Sequence, residues 1–155
     1  MTELRTILCP TDFSECSDAA LRLALELAKR LGARVQLLHV FQVPIYVGWE
    51  DGPAALAATT QFLDEARKHA GDELARLQQQ HAASGVTIET KQVDGLPQQK
   101  IVELGEDADL IVMGTHGRTG LAHVMLGSVA ERVVRTATRP VLTVPVGPST
   151  ETPQS

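Results

Sequence analysis

An α/β fold on a five-stranded parallel sheet, strand order 3-2-1-4-5 with helices on both faces, is what this sequence predicts. Three observations lead to it. Short apolar runs of strand length alternate with longer stretches of helical period in the order β-α-β-α-β-α-β-α-β. Right-handed crossovers between parallel strands then put helices on both sides of the sheet. The glycine-rich stretch Gly114 to Ser128 falls where the fourth strand gives way to the fourth helix. In a sheet of this order that point faces the end of the first strand across a crevice, the usual place for a ligand.

Each element has its own signal. Thr6 to Cys9 is a short buried strand ended by Pro10, and Thr11, Asp12, Phe13 and Ser14 supply turn and cap chemistry for a helix over Ser17 to Leu31. That helix repeats Ala20, Leu21, Ala24, Leu27, Ala28 and Leu31 on one face, and Gly32 closes it. Val35 to Phe41 is the second strand. Gln42 to roughly Pro53 shows no clear period and carries Pro44, Gly48, Gly52 and Pro53 with Tyr46 and Trp49, a surface excursion or a ligand lid.

A long amphipathic helix then presents Leu56, Leu63, Ala66, Ala70, Leu74 and Leu77, with Gly85 as its end. Val86 to Val93 alternates like a half-exposed strand, and Glu89 and Lys91 suit a protected edge. Pro97 presets a third helix to about Glu106, Leu110 to Met113 is the fourth strand, and the fourth helix covers Ser128 to Thr138 with Ala130, Val133, Val134 and Ala137 inward. The last strand is Val141 to Val146, where Pro145 argues for an edge. Residues 1–147 form one domain, and 148–155 read as a polar, disordered tail.

Composition narrows the partners. A net charge of −5, with no basic run longer than Lys29-Arg30 and only one Trp and one Tyr, speaks against a nucleic-acid backbone or single strand. No apolar stretch approaches membrane length and no signal pattern opens the chain, so a cytoplasmic protein with Cys9 and Cys16 reduced is expected. His116 and His123 lack a zinc-type spacing, His39 reads as a half-buried strand residue, and Cys9 as a small core hydrophobe.

The glycine stretch itself points to phosphate. Backbone N–H groups at a helix start converge, the helix dipole favours an anion, and glycine lets the main chain approach closely. The opposite side of the crevice is Pro10, Thr11 and Asp12. An ionised Asp accepts hydrogen bonds only, which suits a ribose hydroxyl and repels phosphate, so this is the sugar end.

The spacing Gly114-x2-Gly117-x9-Gly127-Ser128 resembles the nucleotide-binding signature of the universal stress protein family. The segments Ile7 to Ser14, Leu37 to Val40 and Arg139 to Pro145 are similar to its other recurring stretches. The resemblance implies a Rossmann-like fold of the adenine nucleotide alpha hydrolase type and a cytosolic homodimer joined through the last strand, Val141 to Val146. It also implies bound ATP, accompanied by Mg²⁺.

Carried over by residue, it places Asp12 and the main chain of Pro10 and Thr11 at the ribose and base, and Val40 against adenine through its backbone. It places Gly114, Gly117, Gly127, Ser128 and Val129 at the phosphates, with Thr115 and His116 between the first two glycines and Arg118, Thr119 and Gly120 on the loop beyond. It transfers nothing to Gln42–Thr60, which varies among members. The function expected is nucleotide-binding regulation in a stress response. A slow ATPase or phosphotransferase and a partner-binding dimer without nucleotide stand as alternatives; a hydrolase would want a positioned base and a phosphate-neutralising cation, and Asp12 with Arg118 is a thin cast for those roles.

Overall fold

The computed structural model describes residues 3–44, 52–116 and 126–146. Its strands are β1 (Thr6–Pro10), β2 (Arg34–Phe41), β3 (Ile88–Asp94), β4 (Leu110–Gly114) and β5 (Val141–Val144), all parallel, in the order β3-β2-β1-β4-β5. The helices are α1 (Glu15–Leu31), α2 (Gly52–Gln80), α3 (Pro97–Gly105) and α4 (Ser128–Thr136). The predicted strand order is therefore the observed one, with β3 and β5 at the edges.

Alternation along the strands builds two cores. Ile7, Cys9, Val35, Leu37 and Val112 meet Ala20, Leu21, Ala24 and Ala28 of α1 and Leu74 and Leu77 of α2. Leu8, Leu38, Val40, Ile111 and Met113 point the other way, against Ile101 of α3 and Ala130 and Val133 of α4. Ile7, Leu8 and Cys9 are consecutive and all fully buried, as a central parallel strand requires. Each such Leu or Ile contributes about 1.5–3 kcal/mol of burial free energy.

Several boundaries and inward positions differ from expectation, for physical reasons. Pro10 belongs to β1, paired with Leu38. Thr11 N–H donates to Leu38 O on β2 at 2.8 Å, so the N–H that Pro10 lacks would have faced β4, where the ladder covers only Ile7 and Leu8. Helix α1 starts at Glu15 because Ser14 is its cap, its Oγ accepting from Ser17 N–H at 3.3 Å. Helix α2 stops at Gln80, and a tighter turn over Ala82–Ser84 carries the chain to Gly85, at φ 79°.

Leu31, Leu56 and Val134 do not face the core; they are 49%, 38% and 46% exposed. Leu31 ends α1, where the chain already turns away at Gly32 (φ 68°). Leu56 lies in the first turns of a 29-residue helix. At 1.5 Å per residue such a helix runs about 44 Å, against about 26 Å for an eight-residue strand, so its start overhangs the sheet. Val134 follows Val133, and consecutive helical positions diverge by about 100°, so only Val133 points inward.

Candidate functional site

The two central strands part at their carboxyl ends. The β1–β4 ladder consists of Ile7↔Leu110 and Leu8↔Ile111, whereas the flanking ladders continue to Pro10↔Leu38 and Gly114↔Val144. Past Leu8 and Ile111, β1 follows β2 and β4 follows β5. The outgoing turns then diverge, one to α1 on the first face and one to α4 on the second.

On the β1 wall, Asp12 Oδ1 accepts from Ser14 N–H at 3.0 Å. Asp12 thus braces the residue that caps α1, and its Oδ2 has no protein partner among the described residues. Both main-chain polar groups of Thr11 are engaged inside the protein: its N–H with Leu38 O, its carbonyl with His39 Nδ1 at 2.9 Å. The Thr11 side chain is buried, sharing a hydrogen bond with Ser17 Oγ (3.1 Å) and accepting from Phe13 N–H (3.0 Å). Main-chain contact by Thr11 with a ligand is thereby limited to the second lone pair of its carbonyl.

On the β4 wall, Gly114 meets the start of α1. A Cβ at Gly114 would lie 2.8 Å from Cys16 Sγ and 3.0 Å from the Cys16 carbonyl carbon. Cys16 is buried and also touches Val144 O (3.4 Å) and Thr115 Oγ1 (3.7 Å), so it pins the end of β4 to α1 and β5. Glycine at 114 is therefore required by packing inside the protein, whatever binds beside it.

Gly127 closes against the same wall. Its N–H donates to Thr115 O at 2.6 Å, and a Cβ there would stand 3.0 Å from that oxygen. Gly127 provides α4 with no side-chain cap, in contrast to Ser14 at α1. The first N–H groups of α4, from Ser128 and Val129, thus emerge beside Thr115 and His116 at the positive end of the helix dipole. Thr115 Oγ1 and His116 Nδ1 lie 3.0 Å apart.

The structure thus brings Pro10, Thr11, Asp12, Gly114, Thr115, His116, Gly127, Ser128 and Val129 to one end of the sheet. Val40 is there too, on the last turn-ward residues of β2 with its side chain buried. Gly117, Arg118, Thr119 and Gly120 lie outside the described residues, as does most of the predicted excursion after Pro44. Sequence reasoning missed the packing role of Cys16 and the left-handed Phe13 (φ 64°). Nothing local marks the first, which depends on Gly114 and Thr115 across the crevice, and Phe13 is not a residue type that signals a left-handed turn. Among the described residues, no three His, Cys, Asp or Glu side chains gather as a metal site, and no helix is long and apolar enough to cross a membrane.

The model of the Universal stress protein family matches residues 3–145. The chain belongs to the universal stress protein family. Universal stress protein MJ0531 of Methanocaldococcus jannaschii is 41% identical over 143 residues, covering 90% of this chain and 81% of that protein. Among solved structures, universal stress protein UspA from Lactobacillus plantarum superposes with a TM-score of 0.80 at 28% identity, over 93% of this chain and 99% of that one. A universal stress protein solved in complex with cAMP matches at 27% identity and a TM-score of 0.62, over 92% and 98% of the two chains. The shared architecture places the crevice of this chain within the Rossmann-like fold of the family.

Proposed function

We propose that this universal stress protein binds an adenine nucleotide, ATP with Mg²⁺, in the crevice between β1 and β4, and acts as a cytoplasmic regulatory homodimer. The observation that carries the reading is the parting of the central ladder between two chemically opposite walls. Asp12 offers a carboxylate oxygen for a ribose hydroxyl on one side, and the uncapped start of α4, with the Ser128 hydroxyl, offers donors to phosphate on the other. The family member crystallised with cAMP supports an adenine ligand. Gly117, Arg118, Thr119 and Gly120 complete the phosphate side in this reading, and Val40 the adenine side. Mg²⁺ would be held chiefly by phosphate oxygens and water, as is usual for nucleotide-bound magnesium. The edge of β5 that no other described strand covers, with Leu142 exposed on it and Val146 exposed just past its end, is the surface for the second copy.

The test is mass spectrometry of small molecules released from the purified protein, followed by calorimetric titration with ATP. Asp12→Ala is expected to weaken ATP by about tenfold or more, the loss of a charged hydrogen bond, and Ser128→Ala by about fivefold. No released nucleotide and no ATP binding by the unaltered protein would sink the reading. Phosphate release that scales with protein and disappears with Ser128→Ala would move it to a hydrolase. A monomer by light scattering at micromolar concentration would remove the dimer.

A further inference from the structure

His39 is outside the set of ligand-contacting residues, yet its side chain reaches the wall of the crevice from β2. Nδ1 lies 2.9 Å from the Thr11 carbonyl oxygen, and the imidazole stacks on the Phe13 ring with centroids 4.6 Å apart and planes tilted by 34°. A carbonyl oxygen only accepts, so Nδ1 carries the proton and, in the neutral ring, Nε2 is the bare nitrogen.

The turn that His39 touches is one the chain does not favour unaided. Phe13 sits at φ 64°, in the left-handed region that a bulky side chain avoids. Local geometry is held from both sides: Thr11 Oγ1 accepts from Phe13 N–H at 3.0 Å, and Asp12 Oδ1 accepts from Ser14 N–H at 3.0 Å. Those bonds lie within the turn and move with it. The link from the turn to the neighbouring strand runs through the Thr11 N–H bond to Leu38 O and the side chain of His39. Asp12 lies between the two residues that His39 contacts.

We propose that His39 is a positioning residue for nucleotide binding: its Nδ1–H, donated to the Thr11 carbonyl, holds the Thr11–Phe13 turn so that the Asp12 carboxylate faces the sugar of the ligand. The inference rests on the nucleotide reading above. It separates His39 from a mere space-filler, because the donor must sit at the δ position.

The experiment titrates ATP and inorganic tripolyphosphate into the unaltered protein and into His39→Leu, His39→Asn and His39→Gln, with thermal melts of each. Asn places an amide N–H as many bonds from Cβ as Nδ1 is, whereas Gln places it one bond farther. His39→Leu and His39→Gln are expected to weaken ATP by about fivefold, the scale of one lost hydrogen bond. His39→Asn should stay within about twofold of the parent, and tripolyphosphate should bind all four alike. Long-range ¹H–¹⁵N spectra of the unaltered protein should show the Nδ1–H form of this ring.

ATP bound equally by all four proteins overturns this inference while leaving the nucleotide reading intact. So does a loss shared by tripolyphosphate, or a His39 ring protonated at Nε2 alone. No ATP binding by the unaltered protein overturns the nucleotide reading and the inference together. Should His39→Leu fail to fold, the contrast between Asn and Gln decides.

Discussion

Replacing Gly114 by Ala tests whether this glycine serves the packing of the crevice walls. The new Cβ would stand 2.8 Å from Cys16 Sγ, 3.0 Å from its carbonyl carbon and 3.1 Å from its carbonyl oxygen. The sulfur has little room to retreat, since it already touches Val144 O at 3.4 Å and Thr115 Oγ1 at 3.7 Å. The backbone atoms belong to the first turn of α1, which Ser14 anchors. Overpacking of this kind costs about 1–3 kcal/mol. Restricting the unfolded chain by exchanging Gly for Ala returns about 0.4–1 kcal/mol. The net expectation is a loss centred on about 1.3 kcal/mol and no larger than about 2.6 kcal/mol, read as a lower urea midpoint at unchanged slope.

The same substitution in a Cys16→Ala background removes the sulfur but leaves both backbone contacts. The penalty should then fall without vanishing, a coupling of about 0.5–1 kcal/mol. A Gly114→Ala protein as stable as its parent would refute the packing argument. So would an equal penalty in the two backgrounds. A Gly114→Ala protein that loses ATP reports a displaced wall, and Asp12→Ala also removes the acceptor for Ser14 N–H, so the exposed Ser128 is the position that reads ligand contact most directly.

Two further predictions concern pH. Asp109 Oδ2 accepts from the N–H groups of Arg5 and Thr6, each at 2.9 Å; these bonds, with the nearby Arg139 and Arg5 charges, hold its carboxyl below the ordinary 3.8. A lowered folded value stabilises the fold above the unfolded pKa and is lost as pH falls through the folded one. Asp109→Asn should therefore be less stable than the parent at pH 7, by no more than about 1 kcal/mol because water screens the site; urea titrations should show the difference closing below about pH 4. Burial, with a smaller push from Asp18, raises the Cys9 thiol from 9.0 to about 12. The unfolded chain ionises first, so this group leaves stability untouched below pH 9 and lowers it as pH rises from 9 toward 12. Iodoacetamide at pH 8 should leave Cys9 unlabelled in the native protein and label it once urea is added; native labelling at Cys9 would contradict its burial.

What the sequence determined by itself was whatever local period and local chemistry can encode. The alternation of elements follows from apolar runs, from the helical spacing of Ala20, Leu21, Ala24 and Ala28, and from punctuation by Gly32, Gly85 and Pro97, while the strand order came from the arrangement usual for such folds with a single reversal. The edge position of β3 was legible too, in the charges of Glu89 and Lys91; β5 is the other edge, but it ends at Val144, short of the expected Val146, so Pro145 lies beyond the strand and does not itself mark the edge. Period alone could not say where a helix leaves the sheet, which is why Leu31, Leu56 and Val134 are exposed against expectation.

Only the tertiary structure decided what each crevice residue touches. Pro10–Asp12 and Gly114–His116 are a hundred residues apart in the chain, and their contacts cross between elements. Cys16 fills the space that Gly114 leaves, His39 reaches over from β2 to Thr11, and Asp12 braces Ser14 where it had been read as cap chemistry itself. A sequence records which residue types can make a close approach or a hydrogen bond. Which partner they meet is set when packing on both faces of the sheet brings distant strands to one end.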